Sequence, residues 1–286
     1  MTSLEIRPAA FAGSWYAGTP QGLKKQIEEC FNHRLGPGKL PKVAEKGPRK
    51  VLGLVSPHAG YMYSGPVAAH GYYKLAADGV PDIVVILSPN HTGRGSALAI
   101  MNEGTWQTPL GDAEIDAITA EKILHESRII DVDNKAHAYE HSIELQLPFL
   151  QYLYSSNFKF VPICFAMQDL ESSQEVGQAV AGALSGRNAL VIASTDMTHY
   201  EPHESAQRKD RMAIEAAMEM DEGKYYSTVE SRSITTCGVG PVVAAITATK
   251  ALGGKKGQLL CYKTSGDITG DYSAVVGYAS ISFTKS

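Results

Sequence analysis

The chain has 286 residues, 44% hydrophobic and 20% charged, with a formal net charge of -4 and a pI near 6.1. This is the balance of a water-soluble globular protein, and it leaves no electrostatic footprint for nucleic acid. No apolar run approaches the ~18 to 20 residues of a membrane span, and the opening MTSLEIRPAAFAG lacks the continuous apolar core of a signal peptide, so a cytoplasmic protein with neither membrane nor nucleic-acid partner is expected.

The first predicted element is a helix over Pro20–Asn32, with Thr19 as N-cap and Pro20 in its first turn. Cys30 on it reads as a small buried hydrophobe. Residues 39–50 are basic but interleaved with Gly and Pro, which predicts a solvated loop. Strands follow at 50–56 (KVLGLVS) and 82–88 (DIVVILS), with a helix over 66–77 between them. A helix over 113–126 is predicted behind Asp112, with Ile115, Ile118 and Ile123 sharing a face. Next come a helix over 141–154, a strand at 158–165 (FKFVPICF) that buries Cys164, and a helix over 170–184. A strand at 188–194 precedes helices over 204–220 and 238–252, and a last strand spans 273–283, with Cys261 a strand residue before it. Continuous apolar strands alternating with helices predict one α/β domain over residues 1–286, a mostly parallel central sheet with helices on both faces. The four cysteines form no C-x-x-C pair, which argues against a zinc knuckle or a disulfide framework.

In such sheets ligands bind at the carboxyl ends of the strands. Two of those ends rhyme. GLVSPHAGY and VVILSPNHTG both run out of an apolar strand into Ser-Pro and leave an imidazole, His58 and His91, close to Gly60 and Gly93. Histidines in such turns are often structural, but two in matched contexts point to metal ligation, for which neutral imidazole is the commonest ligand. A third exit, NALVIASTDMTHY, delivers Asp196 and His199. Asp196 reads as a metal ligand, an orienting group or a cap. A triad confined to Ser194, Thr195, Asp196 and His199 is too local for hydrolase chemistry. Cys237 precedes Gly-x-Gly-Pro and an apolar helix, where a helix start would stabilise its thiolate as a ligand or nucleophile. His137, Glu140 and His141 match the H-x-x-E-H of inverted zinc peptidases, but Pro148 interrupts the helix that pattern needs; His141 and Glu144 read instead as polar groups lining a pocket. Trp15, set among small residues, and Tyr61, which lies beside His58, are expected on its walls.

Taken together, RPAAFAGSWYAG, VSPHAGYMYSGPVAAHGY, ILSPNHTG, EHSIELQLPFL, ASTDMTHY, TTCGVGPV and TSGDITGDYSAVVGYASISF resemble the Memo family. They run from Arg7 to Phe283. That family's fold is similar to that of class III extradiol dioxygenases, in which two His and a carboxylate hold Fe(II) and a further His is the acid/base. The resemblance implies metal ligands at His58 and His91, an acid/base at His199, and a third ligand at Cys237 where the dioxygenases carry a carboxylate; Asp196, expected on the same rim, is a candidate additional ligand by its nearness. It implies iron, with copper or zinc as alternatives, and links to redox chemistry and to peptide recognition. A thiolate is softer and more readily oxidised than a carboxylate, so ring cleavage does not follow from the resemblance. Four functions are set against one another: a mononuclear redox-metal protein, a module that binds a peptide or carboxylate in the same cleft, a Cys237 nucleophile activated by His199, and a catechol dioxygenase. A small-molecule or peptide ligand is expected, and the oligomeric state is left open.

Overall fold

The computed structural model describes residues 5–285. Its centre is four parallel strands in the order Val51–Ser56, Ala189–Ser194, Ile83–Pro89 and Lys159–Phe165. Apart from Lys159 every residue in them is buried, as expected of strands covered on both sides. Alternation sorts their side chains. Val85 and Leu87 face one hydrophobic layer with Val191 and Ala193, while Val84 and Ile86 face the other with Leu190 and Ile192.

Helices Leu170–Leu184 and Val239–Ala251 pack on the first face, and Pro20–Asn32, Tyr61–Asp78 and Leu147–Tyr154 cover the second. The expected parallel sheet is thus the centre of a mixed one, because both flanks turn antiparallel. Val275–Thr284 pairs antiparallel with Val51–Ser56 and with Lys256–Thr264, the strand that carries Cys261. On the other side Leu98–Ile100 runs antiparallel to Lys159–Phe165. A separate small sheet joins Ile6–Arg7, Thr105–Thr108 and Gly111–Glu114.

Several boundaries differ from expectation for local reasons. The expected helix over 113–126 is a strand, Gly111–Glu114, followed by a helix, Ala117–Glu126, so the cap is Asp116, whose carboxylate accepts from Thr119 N–H at 2.7 Å, and not Asp112. Ile123 is buried there but Ile118 is 69% exposed, so they do not share a core face. Residues 141–154 form two short helices, His141–Glu144 and Leu147–Tyr154, because Pro148 cannot donate to the preceding turn and sits in the first turn of the second. The second helix of the chain begins at Tyr61, five residues before Pro66, and so brings its start close to His58. Glu222–Ser231, not anticipated, is a further helix. No helix among the described residues is long and apolar enough to cross a membrane.

Candidate metal centre

The two Ser-Pro turns are held by one segment. The Pro57 carbonyl accepts from Gln146 Nε2 at 3.0 Å, and the backbone N–H of His91, two residues past Pro89, donates to Glu140 at 2.6 Å. His141, at the start of that segment, is thereby brought between the rhyming histidines. Ligand atoms of His58, His91 and His141 all lie within 4.8 Å of one another. His91 and His141 stack at 4.4 Å between ring centroids, and His58 meets both edge-on at 5.2 Å. His58 is buried and His91 is on the exposed side, so the group opens outward through His91. Three imidazoles this close have donor atoms that suit one first-row transition metal.

The rings of His58 and His91 are held from behind, by Ser194 and Glu140. Glu140, fully buried, accepts from His91 Nδ1 at 2.9 Å and from the His91 backbone N–H at 2.6 Å, while its Oε1 also caps the helix through Ser142 N–H at 2.9 Å. Burial pushes the Glu140 carboxyl up, but the His91 hydrogen bond and the His91 and His141 charges outweigh this and hold it at about 2. As an acceptor-only carboxylate it requires a proton on His91 Nδ1 and turns Nε2 away from itself. Asn90 shapes the same turn, accepting from Thr92 and Gly93 N–H, and Gly93 takes the left-handed φ of 64°. Gly60 does not play the equivalent part: a Cβ there would meet nothing nearer than the Trp15 carbonyl, at an ordinary 3.4 Å.

Cys237 enters from the other face. Its sulfur is 3.3 Å from His58 Nε2 and accepts from the Asp196 N–H at 3.2 Å. Gly238, the N-cap of the following helix, fixes this approach: its N–H donates to Thr195 Oγ1 at 2.9 Å, and a Cβ on it would stand 2.7 Å from the Thr195 side chain. The expected low thiol pKa is not found. Burial, and then the Asp196 carboxylate, push the thiol well above its ordinary value, so the helix start does not produce a free thiolate. Asp196 accepts from His58 N–H at 2.8 Å, and burial raises its carboxyl to about 6 against that bond and the His199 and His91 charges. His199 stands outside the three-ring group; its Nδ1 donates to the Thr235 carbonyl at 2.8 Å.

The remaining expectations separate. Trp15 lies against the His141 ring, 4.2 Å between centroids, as a wall would. Tyr61 and Glu144, expected beside it, are buried beneath: the Tyr61 hydroxyl donates to the Leu145 carbonyl, and Glu144 binds Arg7, two backbone N–H groups and the Tyr16 hydroxyl. The H-x-x-E-H geometry fails, since His137 closes a 3-10 turn with Nδ1 on the Cys164 sulfur while His141 opens a different helix. Glu140, weighed only as a peptidase base, orients His91. The place of His141 among the three rings and the 2.9 Å contact of His58 Nδ1 with the Ser194 hydroxyl have no sequence signal beyond the EHSIELQ stretch.

Acid should destabilise the metal-stripped protein. Burial, opposed by Glu140 and reinforced by His91, holds His141 at about 4; burial also holds His137 at about 3 and His58 well below 6.5. A base with a depressed folded pKa contributes fully above its unfolded value and loses that contribution as pH falls toward the folded one. The window is therefore pH 6.5 down to about 4 for His141, worth roughly 3 kcal/mol. Asp196, raised to about 6, and Asp210, also raised by burial, oppose this as pH falls through their folded values. Urea midpoints measured from pH 7 to 4.5 should fall; a flat profile would contradict the assignment.

The comparisons with known proteins agree with this architecture. A family profile described as Memo-like protein matches residues 7–282. A MEMO1 family protein of Methanopyrus kandleri is 53% identical over 281 residues, covering 98% of this chain and 99% of the relative. One of Methanothermobacter thermautotrophicus is 50% identical over 279 residues, covering 97% and 100%. The crystal structure of an uncharacterized Escherichia coli K12 protein superposes with a TM-score of 0.57 at 13% identity, covering 82% of this chain and 99% of that one, which shows a shared fold. With a match across nearly its whole length and relatives at half identity, the chain belongs to the Memo family.

Proposed function

We propose that the protein holds one redox-active metal, iron, between His58, His91 and His141, with the Cys237 sulfur as a fourth donor, and that it acts on a small organic ligand in the cytoplasm. The observation that carries the reading is the crowding of three imidazoles whose ligand atoms lie within 4.8 Å. Burial and mutual repulsion keep His58 and His141 neutral at neutral pH, so their lone pairs are available. Imidazole with sulfur suits iron, copper or zinc over magnesium or calcium. When bound, such a metal supplies a Lewis-acid and electron-transfer centre. His199, with its Nδ1 proton given to the Thr235 carbonyl, keeps Nε2 free to take a proton from a ligand at the rim. Four free cysteines accord with a reducing compartment.

Metal analysis of protein purified without chelator tests this. Wild type should carry iron, His58→Ala and His141→Ala should carry almost none, and Cys237→Ser should carry less or exchange it for another metal. Equal metal in all four would overturn the reading. A second reading, a module that binds a peptide or carboxylate without turnover, draws on the apolar rim: Trp15 lies on His141, and Met62, Tyr139 and Tyr200 are 65%, 60% and 79% exposed beside His58, His141 and His199 in sequence. It is distinguished by ligand affinity that survives removal of the metal.

A further inference from the structure

A metal ligand needs a bare nitrogen, and for His58 the choice of nitrogen is made by Ser194, at the end of a neighbouring strand. Its Nδ1 is 2.9 Å from the Ser194 hydroxyl oxygen. Behind Ser194 stands Gln146, whose Oε1 accepts from the Tyr72 hydroxyl at 2.6 Å while Nε2 donates to the Pro57 carbonyl at 3.0 Å and to Ser194 Oγ at 2.8 Å. Turning this amide over would set its oxygen against the Pro57 carbonyl, two acceptors face to face, so its orientation is determined. The single hydrogen of Ser194 goes to the Ser142 carbonyl at 2.8 Å. A hydroxyl has one hydrogen and two lone pairs. The hydrogen is committed to Ser142 and one lone pair to Gln146, so Ser194 can only accept from His58.

We infer that Ser194, set by Gln146 and the Ser142 carbonyl, is a positioning residue that fixes His58 as the Nδ1–H tautomer and leaves Nε2 bare toward Cys237 and the other two rings. Ser194, Gln146, Ser142 and Tyr72 are all buried, so water does not substitute for any link. His91 reaches the same tautomer by a different route, through the Glu140 carboxylate. The two rings that rhyme in sequence are therefore oriented by one charged and one neutral device. The neutral device adds no second negative charge behind the centre. Its use rests on the metal reading; its geometry does not.

The tautomer is directly observable. Long-range proton–nitrogen correlation spectra of the full-length, metal-stripped protein labelled with ¹⁵N, with His58 assigned by its absence in His58→Gln, should show a protonated Nδ1 and an unprotonated Nε2. Ser194→Ala removes the acceptor and should shift His58 toward Nε2–H, donating to the Cys237 sulfur, with Co(II) affinity down about tenfold. An Nε2–H His58 in wild type overturns the inference, as does a Ser194→Ala protein that retains the wild-type tautomer. Should Ser194→Ala not fold, the wild-type spectrum still decides. If wild type shows Nδ1–H but takes up no Co(II), the metal reading falls and the positioning role stands.

Discussion

Replacing Glu140 with Ala is expected to remove on the order of 3 kcal/mol or more of stability and to weaken metal binding about 10- to 100-fold. The carboxylate is fully buried and accepts four bonds: the backbone N–H and Nδ1 of His91, and the backbone N–H and hydroxyl of Ser142, at 2.6, 2.9, 2.9 and 2.7 Å. Alanine strands buried donors on both sides of the site and removes a helix cap at once. It also frees the His91 ring to present either nitrogen. Glu140→Gln separates these effects, because it restores the volume but presents an amide in which only one atom accepts. Stability should partly recover while metal affinity does not. Urea unfolding and Co(II) titration provide the readouts, and an Ala variant within about 1 kcal/mol of wild type, the range of an ordinary surface change, would contradict the account.

Arg7→Met should destabilise the protein by roughly 3–5 kcal/mol, the usual result of removing one partner of a buried ion pair. Arg7 and Glu144 are 4% and 0% exposed and meet at 2.5 Å. The guanidinium also donates to the His137 and Glu140 carbonyls at 2.7 and 2.8 Å and stacks on Trp106 at 4.0 Å. Glu144 in turn anchors Ala10, Phe11 and Tyr16. With Met at position 7 the carboxylate keeps these donors but no countercharge. The double change Arg7→Met with Glu144→Gln should therefore lose less than the sum of the single losses in a double-mutant cycle. A purely additive cycle would show that the pair does not act as a unit. Because the same segment lays Trp15 on His141, the single variant should also loosen the wall of the site.

What could be read from the chain follows from where burial is two-sided. The central strands lie between two helical layers, so nearly every residue in them is apolar or small, and 82–88 and 188–194 were each placed to within one residue. Helices Pro20–Asn32 and Leu170–Leu184 were placed without error, the first by a Thr-Pro start. The short strands and the 111–126 boundary were hidden because Asp112 and Asp116 are equally good caps in isolation and only the small sheet decides between them. At the site, the nearness of His58 and His91 is legible because matching Ser-Pro neighbours in sequence mark both. The role of His141 is not, because its partners are contributed by other turns, and the relay through Ser194 spans 136 residues to His58 and 48 to Gln146. Local pattern carries no signal for a bond of that kind.

The strand Val275–Thr284 lies between Val51–Ser56 and Lys256–Thr264, hydrogen-bonded to both. A chain still on the ribosome can thus display all three imidazoles of the site while the strand that leads into His58 lacks its lateral neighbour and Cys237 has no finished scaffold. The three-ring arrangement is therefore expected to close only once the last strand is in place, and chains cut short of that strand would carry the rings without the means of arranging them.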